Sequence, residues 1–515
     1  MSIIATFILE LPLKTEKYQE DILAKRFEIG RNIYNACLNE LQTRHTTMIQ
    51  SKEYQEIIKQ IKATFRIQEK QQHLQKNTAK INHSLKEKRK PLWHLKNKLH
   101  EKYGLTEYHL HQFVASMSAH FKKHIDSLTA QKIASQAWQS MEKLLYGNSK
   151  TLHYKKVGQM NTLSGKWNKS GIRYKDGIII WNGLTLPVTI RKNDTYAQMA
   201  LMNQIKFNRI KRKTIRGKIR YFVQIILEGI PPNKIDKKTG LTRNQLGQGK
   251  VGLDIGTQTI AIVSEHQVTL QELAPNVQLL QKEKTKLNRK LDRQRRANNP
   301  HKYNQDRTIK RGNKEKWKRS KAYLKTLYQY QDICRKQADI RKQDHFKLAN
   351  QIIALGNDIK VETMNYKALA ARSKETKQNQ KTGKIKPKKR FGKSIANKAP
   401  ALFLSILQNK LLFKGHELKH IATTKVKASQ YNHVTDTYQK KQLNERWTTL
   451  WIEHEPIKIQ RDLYSAYLIK NVENNLEKID RKQCEIGFKD FMIMHDKEIT
   501  RLQSSPIKLL SSMGL

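Results

Sequence analysis

The chain has 515 residues, with 100 Lys and Arg against 44 Asp and Glu, for a formal charge of +56. Like charge on this scale repels itself in a compact state until a polyanion screens it, which excludes an ordinary metabolic enzyme and favours a nucleic-acid partner. Hydrophobic residues make up 37% and include 7 Trp and 19 Tyr, so the chain is no basic disordered tail, and about 150 residues per domain predicts two to four domains.

The first predicted element is a strand within Ser2 to Leu13, because Phe7, Leu9, Leu11 and Leu13 fall at period two. The stretch lacks a basic leader and a cleavage site, and it is too short to span a membrane, so the expectation is a cytoplasmic protein. Cys37, Cys334 and Cys484 lie far apart without a C-x-x-C pair, which signals neither a disulfide framework nor a cysteine zinc site.

From Lys17 to Leu145 helical periodicity runs almost without Gly or Pro, with Ile22, Phe27, Ile33, Tyr34, Cys37 and Leu38 as candidate core. Residues 17–150 therefore read as a helical lobe. Short β-type runs follow at 177–181, 186–190 and 221–227, a spacing that suggests a small barrel or sandwich over 151–230 joined by the first strand (1–16). A polar linker occupies 231–249.

Next come a strand at 251–255, a turn and a second strand at 259–264. A long basic helical pair then runs over about 277–355, broken near Asn298 to Pro300. A strand at 359–362 precedes a lysine-rich loop over 372–390, and a helix at 401–413 carries Leu402, Phe403, Ile406, Leu407 and Leu411 on one stripe. Strand, hairpin, helix, strand, helix is an α/β layout. Amphipathic character around Ile486, Phe488, Phe491 and Ile493 predicts a C-terminal helix packed on the preceding domain.

Three carboxylates stand out. Asp254 sits in an apolar strand, V-G-L-D-I-G-T, where a carboxylate is costly unless a cation satisfies it. Glu362 ends the strand I-K-V-E, and Asp462 opens an apolar helix in R-D-L-Y-S-A-Y. Each singly also fits a strand-end carboxylate or an N-terminal helix residue. Converging at one sheet edge, they would instead form an all-oxygen site suited to Mg²⁺, with two ions serving phosphodiester cleavage and Mn²⁺ as a substitute.

V-G-L-D-I-G-T, D-I-K-V-E-T-M and Q-R-D-L-Y-S-A resemble the three motifs of the RuvC nuclease domain in TnpB proteins of insertion-sequence transposons and their type V CRISPR effector relatives. The resemblance is strongest over 250–470. It implies Asp254, Glu362 and Asp462 as catalytic, metal-binding residues, and an RNase H-like fold over 250–427 (motifs I and II) and 448–515 (motif III and tail). It also implies a helical recognition lobe inserted in a β-barrel wedge domain, a bound guide RNA, and cleavage of guide-complementary double-stranded DNA beside a short flanking motif. The setting implied is prokaryotic cytoplasm, nucleoid-associated when bound to DNA, as a monomer or dimer. Relatives place a four-cysteine zinc ribbon between motifs II and III. Here 428–447 has no cysteine and Tyr431 stands at the expected first position, so no zinc is predicted; His433 reads as an ordinary polar contact.

The basic residues Lys286, Arg289, Lys290, Arg293, Arg295, Arg296, Lys310, Arg311, Lys318 and Arg319, with Trp317 interleaved, read as nucleic-acid contacts. Lys440, Lys441 and Arg446 read as contacts to substrate near the active site. The other readings of the chain are an RNA-guided DNA-binding regulator that does not cut, and a transposon-encoded nuclease that needs no guide.

Overall fold

The structure is a computed structural model that describes residues 5–73, 78–236, 238–306, 308–310, 312, 315–373, 375–376, 378–379, 391–442, 445–506 and 509–514. The lysine-rich loop expected over 372–390 lies largely outside them. Two compact units divide the chain at Pro232 and Asn233.

The first unit begins with β1 (Thr6–Pro12), followed by five helices: α1 (Lys17–Gln50), α2 (Lys52–His73), α3 (Thr78–Lys102), α4 (Glu107–His120) and α5 (Ser127–Leu145). Gln19 accepts from the Glu16 backbone N–H at 2.9 Å, closing the start of α1. Phe27, Ile33, Cys37 and Leu38 are wholly buried along α1, as the periodicity predicts, whereas Ile22 is half-buried and Leu23 takes the core position. Next come β2 (Thr162–Ser164), β3 (Arg173–Lys175), β4 (Ile178–Trp181), β5 (Leu184–Pro187), α6 (Thr195–Leu201), β6 (Ile205–Ile215) and β7 (Lys218–Glu228).

The N-terminal strand does join the later β region: β1 pairs antiparallel with β7, in the order β1-β7-β6-β2. β3, β4 and β5 form a separate antiparallel sheet. No closed barrel is found among the described residues, which corrects the barrel expectation. The four-stranded sheet ends in two strands that do not pair with each other, and the isolated bridge Leu13 to Val188 only ties it to the smaller sheet at a corner. Arg26 of α1 fastens helices to sheet. Its guanidinium donates to the Trp181 and Asn182 carbonyls at 2.7 Å each and lies 4.4 Å from the Trp181 ring centroid. The Trp181 indole donates to Asp126 at 2.8 Å, and Asp126 in turn caps α5 through the Thr129 amide.

The second unit contains β8 (Lys250–Ile255), β9 (Thr259–Val263), β10 (Val268–Glu272), α7 (Gln281–Asn298), α8 (Lys321–Leu355), β11 (Asp358–Glu362), α9 (Tyr366–Leu369), α10 (Gly392–Lys398) and α11 (Pro400–Leu412). It continues with β12 (Lys419–Ile421), α12 (Thr423–Val426), β13 (Tyr431–Asn432), β14 (Thr437–Tyr438), β15 (Trp447–Ile452), β16 (Glu455–Gln460), α13 (Arg461–Lys470) and α14 (Arg481–Gln503). Its central sheet runs β10-β9-β8-β11-β12, antiparallel through β10, β9 and β8, then parallel from β8 to β11 and β12.

Both faces of this sheet are covered, and the period-two alternation of strands decides which residue faces which helix. Val251, Leu253, Ile255, Ile359 and Val361 join the α8 and α11 residues Ile352, Ile353, Phe403 and Leu407 in one core. The alternate residues Gly252, Asp254, Lys360 and Glu362 therefore point to the opposite face, where α13 and α14 pack on Ala261, Val263 and Leu270. Three expected core positions are corrected. Leu402, in the first turn of α11, is exposed, and α14 buries Cys484, Phe488, Phe491 and His495 while Ile486 and Ile493 face outward.

Candidate active site

Four local devices bring α13 against β8. Gly252 lacks a side chain where one is impossible: a Cβ there would collide with the Ala466 carbonyl and the Lys470 amide of α13. Lys360, 1% exposed, directs its ammonium to the Lys470 and Val472 carbonyls, satisfying the carbonyl end of α13 and its helix dipole. The Gln460 side chain accepts from the Leu463 amide at 2.8 Å, capping the other end, and is itself held by the Met513 carbonyl at 3.1 Å. Leu463, Tyr464, Tyr467 and Leu468 supply the buried face of α13, where both tyrosines are packing residues.

Asp254, Glu362 and Asp462 meet on this face. In the parallel pair β8 and β11, Val361 stands opposite Leu253, so Glu362 follows beside Asp254. Asp462 lies in the first turn of α13. Asp254 keeps an accessible edge, yet its carboxyl is enclosed by protein; burial first, then the negative charges of Asp462 and Glu362, hold its proton affinity well above the usual carboxylate range. Burial also raises that of Glu362. The three groups thus occupy one electrostatic neighbourhood. Among the described residues, no three His, Cys, Asp or Glu side chains stand close enough to ligate an ion without moving. Drawing three carboxylates together costs Coulomb energy that a divalent cation would return.

Two residues that the sequence reading missed belong to this neighbourhood. The Arg461 guanidinium lies 3.3 Å from Asp462 Oδ1 and, acting as a positive charge on Asp254 as well, favours its ionised form. It also donates to the Glu445 carbonyl at 2.8 Å, tethering the preceding segment to the site. Arg461 was visible as the neighbour of Asp462 in Q-R-D-L. Tyr366 donates to the Ile255 carbonyl at 3.2 Å, and burial, with the charges of Asp254 and Glu362, disfavours its phenolate. Four residues beyond Glu362 in a non-repeating segment, Tyr366 had no sequence signal.

Of the basic residues, Lys286, Arg289, Lys290, Arg293, Lys310, Lys318 and Arg319 are exposed. Arg295 and Arg296 are half-buried and engage Asp292, Arg295 through an ion pair of 2.9 Å and Arg296 at the backbone carbonyl. Arg311 lies outside the described residues. Lys440 is exposed; Lys441 donates to Thr448 Oγ1 at 2.9 Å; Arg446 is half-buried against Gly514. None of the α7 residues is brought to the three carboxylates by a hydrogen bond or ion pair.

In the 428–447 segment, His433 is 2% exposed with Nδ1 2.7 Å from Tyr464 Oη, among the rings of Tyr464, Tyr467 and Phe488. Burial first, then nearby Arg481, outweighs Glu485 and holds its pKa down at about 4, against an ordinary 6.5. A depressed histidine favours the folded state above pH 6.5 and withdraws that stability as pH falls towards 4. His433→Phe should flatten this part of the stability profile, removing up to about 3 kcal/mol of pH dependence in denaturant melts between pH 6.5 and 4. An unchanged profile would place the titrating group elsewhere.

No protein-family model matches the sequence, and no curated protein matches it. Solved structures similar to the chain include a cryo-EM structure of a Cas12f1–sgRNA–target DNA complex, at 14% identity and a TM-score of 0.42, covering 91% of this chain and 99% of that one. Another is a cryo-EM structure of a CRISPR-Cas12f ternary complex, at 13% identity and a TM-score of 0.25, covering 88% and 82% respectively. Among the described residues no helix is long and apolar enough to cross a membrane.

Proposed function

We propose that the protein is an RNA-guided DNA endonuclease that binds a structured guide RNA and cuts guide-complementary DNA beside a short flanking motif. The observation that carries the chemistry is that buried Asp254 lies within the negative fields of Asp462 and Glu362, which with burial raise its proton affinity, on one face of a mixed sheet. The strand order β10-β9-β8-β11-β12 supports an RNase H-like reading of that sheet. The guided part rests on the motif resemblance and on a charge of +56, which suits RNA and heteroduplex backbones.

The donor set is all oxygen and mutually repulsive, which fits Mg²⁺, or Mn²⁺ in its place, held by Asp254, Glu362 and Asp462. Bound there as a pair, Mg²⁺ would supply Lewis-acid stabilisation of the phosphodiester and activation of water. The chain's own residues set up that chemistry. β8 and β11 fix two carboxylates side by side, α13 brings the third, Arg461 orients Asp462, and buried Tyr366 anchors the segment after Glu362 to the Ile255 carbonyl. The 428–447 segment, tied in by Arg461, is suited to meet the substrate strand.

The test is to extract the nucleic acid that copurifies, sequence it, and challenge the complex with matched and scrambled DNA in Mg²⁺ and in EDTA. Defined-length RNA and Mg²⁺-dependent cutting of the matched DNA alone are expected. RNA-free protein that cuts with full sequence selectivity, or matched DNA bound stably but left intact in Mg²⁺, would overturn the reading.

A further inference from the structure

The turn between α7 and α8 holds an aromatic ring in a preformed cationic setting. Trp317 is 37% exposed, yet its position is fixed from several directions. Tyr303 meets it edge-on at 6.0 Å between ring centroids, the Lys302 ammonium lies 5.0 Å from its centroid and the Arg295 guanidinium 5.8 Å. Those holders are themselves held. Arg295 Nε donates to Tyr303 Oη at 3.1 Å, and Lys302, 1% exposed, donates to the Glu315 carbonyl at 2.5 Å. The adjoining residue Lys318 is clamped by the buried Asn299, which donates to the Lys318 and Arg295 carbonyls at 3.0 Å each and accepts from the Lys318 amide at 2.8 Å.

The charges around this ring divide into two sets. Arg295 pairs with Asp292 at 2.9 Å, and His301 and Lys302 face Glu315 at 3.0 and 3.7 Å, so these hold the turn together. Lys310, Lys316, Lys318 and Arg319 are exposed, and Lys316 and Lys318 flank Trp317 in sequence. In sequence, Arg307 to Arg319 carries seven Lys and Arg against the single acid Glu315.

We propose that Trp317 is a stacking platform for an unpaired nucleobase of a single-stranded nucleic acid, with Lys316, Lys318 and Arg319 holding the flanking phosphates. A rigid aromatic ring gives base stacking without sequence preference, and the cations beside it follow the backbone. The packing of Trp317 against Tyr303, Lys302 and Arg295 lowers the ordering cost of binding. Within a duplex both faces of a base are stacked on its neighbours, whereas an unpaired strand can offer a face at each successive base, so single strands are the ligand. The site is independent of whether the three carboxylates cut.

The experiment is photo-crosslinking of full-length, nucleic-acid-stripped protein to single-stranded oligomers carrying 5-iodouridine or 5-iododeoxyuridine, with adducts mapped by peptide mass spectrometry. An adduct at Trp317 from the RNA oligomer, the DNA oligomer or both is expected, and the arm with the higher yield names the preferred strand. Trp317→Tyr should keep most of the yield at this turn, whereas W317L should lower it at least about fivefold, within the range of one stacked base. The W317L drop should leave adducts elsewhere unchanged. Should W317L prove unstable, the parent map still decides. Adducts in both arms that avoid Trp317 would overturn the proposal, as would W317L matching the parent.

Discussion

Replacing Asp254 with Asn should raise the melting temperature of the metal-free second unit by a few degrees at pH 7 to 8 and abolish its stabilisation by Mg²⁺. The sign follows from linkage. A carboxyl whose proton affinity is higher folded than unfolded costs nothing below the ordinary carboxylate range, and it withdraws stability as pH rises through its folded value. Burial and the charges of Asp462 and Glu362 place Asp254 in that position. The neutral amide removes the penalty, so the gain of Asp254→Asn should shrink to nothing as pH falls towards 4. In the parent, Mg²⁺ should deliver the same relief by another route, raising stability at neutral pH. Thermal melts across pH, with Mg²⁺ and with EDTA, check both halves. A parent indifferent to Mg²⁺, or an Asn variant that is less stable at pH 8, would contradict the shared-cation reading.

Gly252→Ala should uncouple the site by a different cause. The added methyl would meet the backbone of α13 at Ala466 and Lys470, and backbone cannot rotate away as a flexible side chain can. Overpacking of this kind costs about 1–3 kcal/mol where neighbours can shift, and here the shift would carry Asp462 away from Asp254. Cleavage should fall by at least about 100-fold, because displacement of a catalytic group by about 1 Å costs that much. RNA binding should persist. A variant with parental cleavage would mean that the β8 to α13 contact does not set the geometry. The neighbouring Lys360, with its ammonium on the Lys470 and Val472 carbonyls, holds the same C-terminal end of the helix.

The readable parts of the fold were those where apolar period alone decides. β8, β11, α8 and the buried stripe of α1 fall where alternation or 3.6-residue spacing puts them, and V-G-L-D and I-K-V-E also foretell which face their acids share. β6 was missed because its inward residues are Asn208, Ile210 and Arg212, and a buried Asn and Arg break the expected alternation. Asn208 is accommodated by donating to Asn168 and the Ile172 carbonyl, partners that no local window contains. The hairpin of β15 and β16 was hidden because Thr448 is buried while Trp451 is exposed, which again breaks the apolar alternation. For α14, the apolar residues Ile486 and Ile493 pulled the predicted face away from the true one, which also uses His495 and Glu498. His495 accepts from the Gln460 amide at 3.0 Å and Glu498 accepts from the Leu270 amide at 2.8 Å, so polar side chains serve the core by tertiary pairing. The same limit applies at the site: the three acids were legible as exceptions to the basic trend, whereas Tyr366 becomes part of it only through the folded position of Ile255.

The most direct measurement is single-turnover cleavage of guide-matched double-stranded DNA by the purified RNA complex in Mg²⁺, comparing the parent with Asp254→Ala at equal RNA and DNA occupancy. The three-carboxylate account predicts a rate loss on the order of 10³-fold or more, about 4 kcal/mol of transition-state stabilisation, with binding retained. An Asp254→Ala complex that cuts at the parental rate would contradict it.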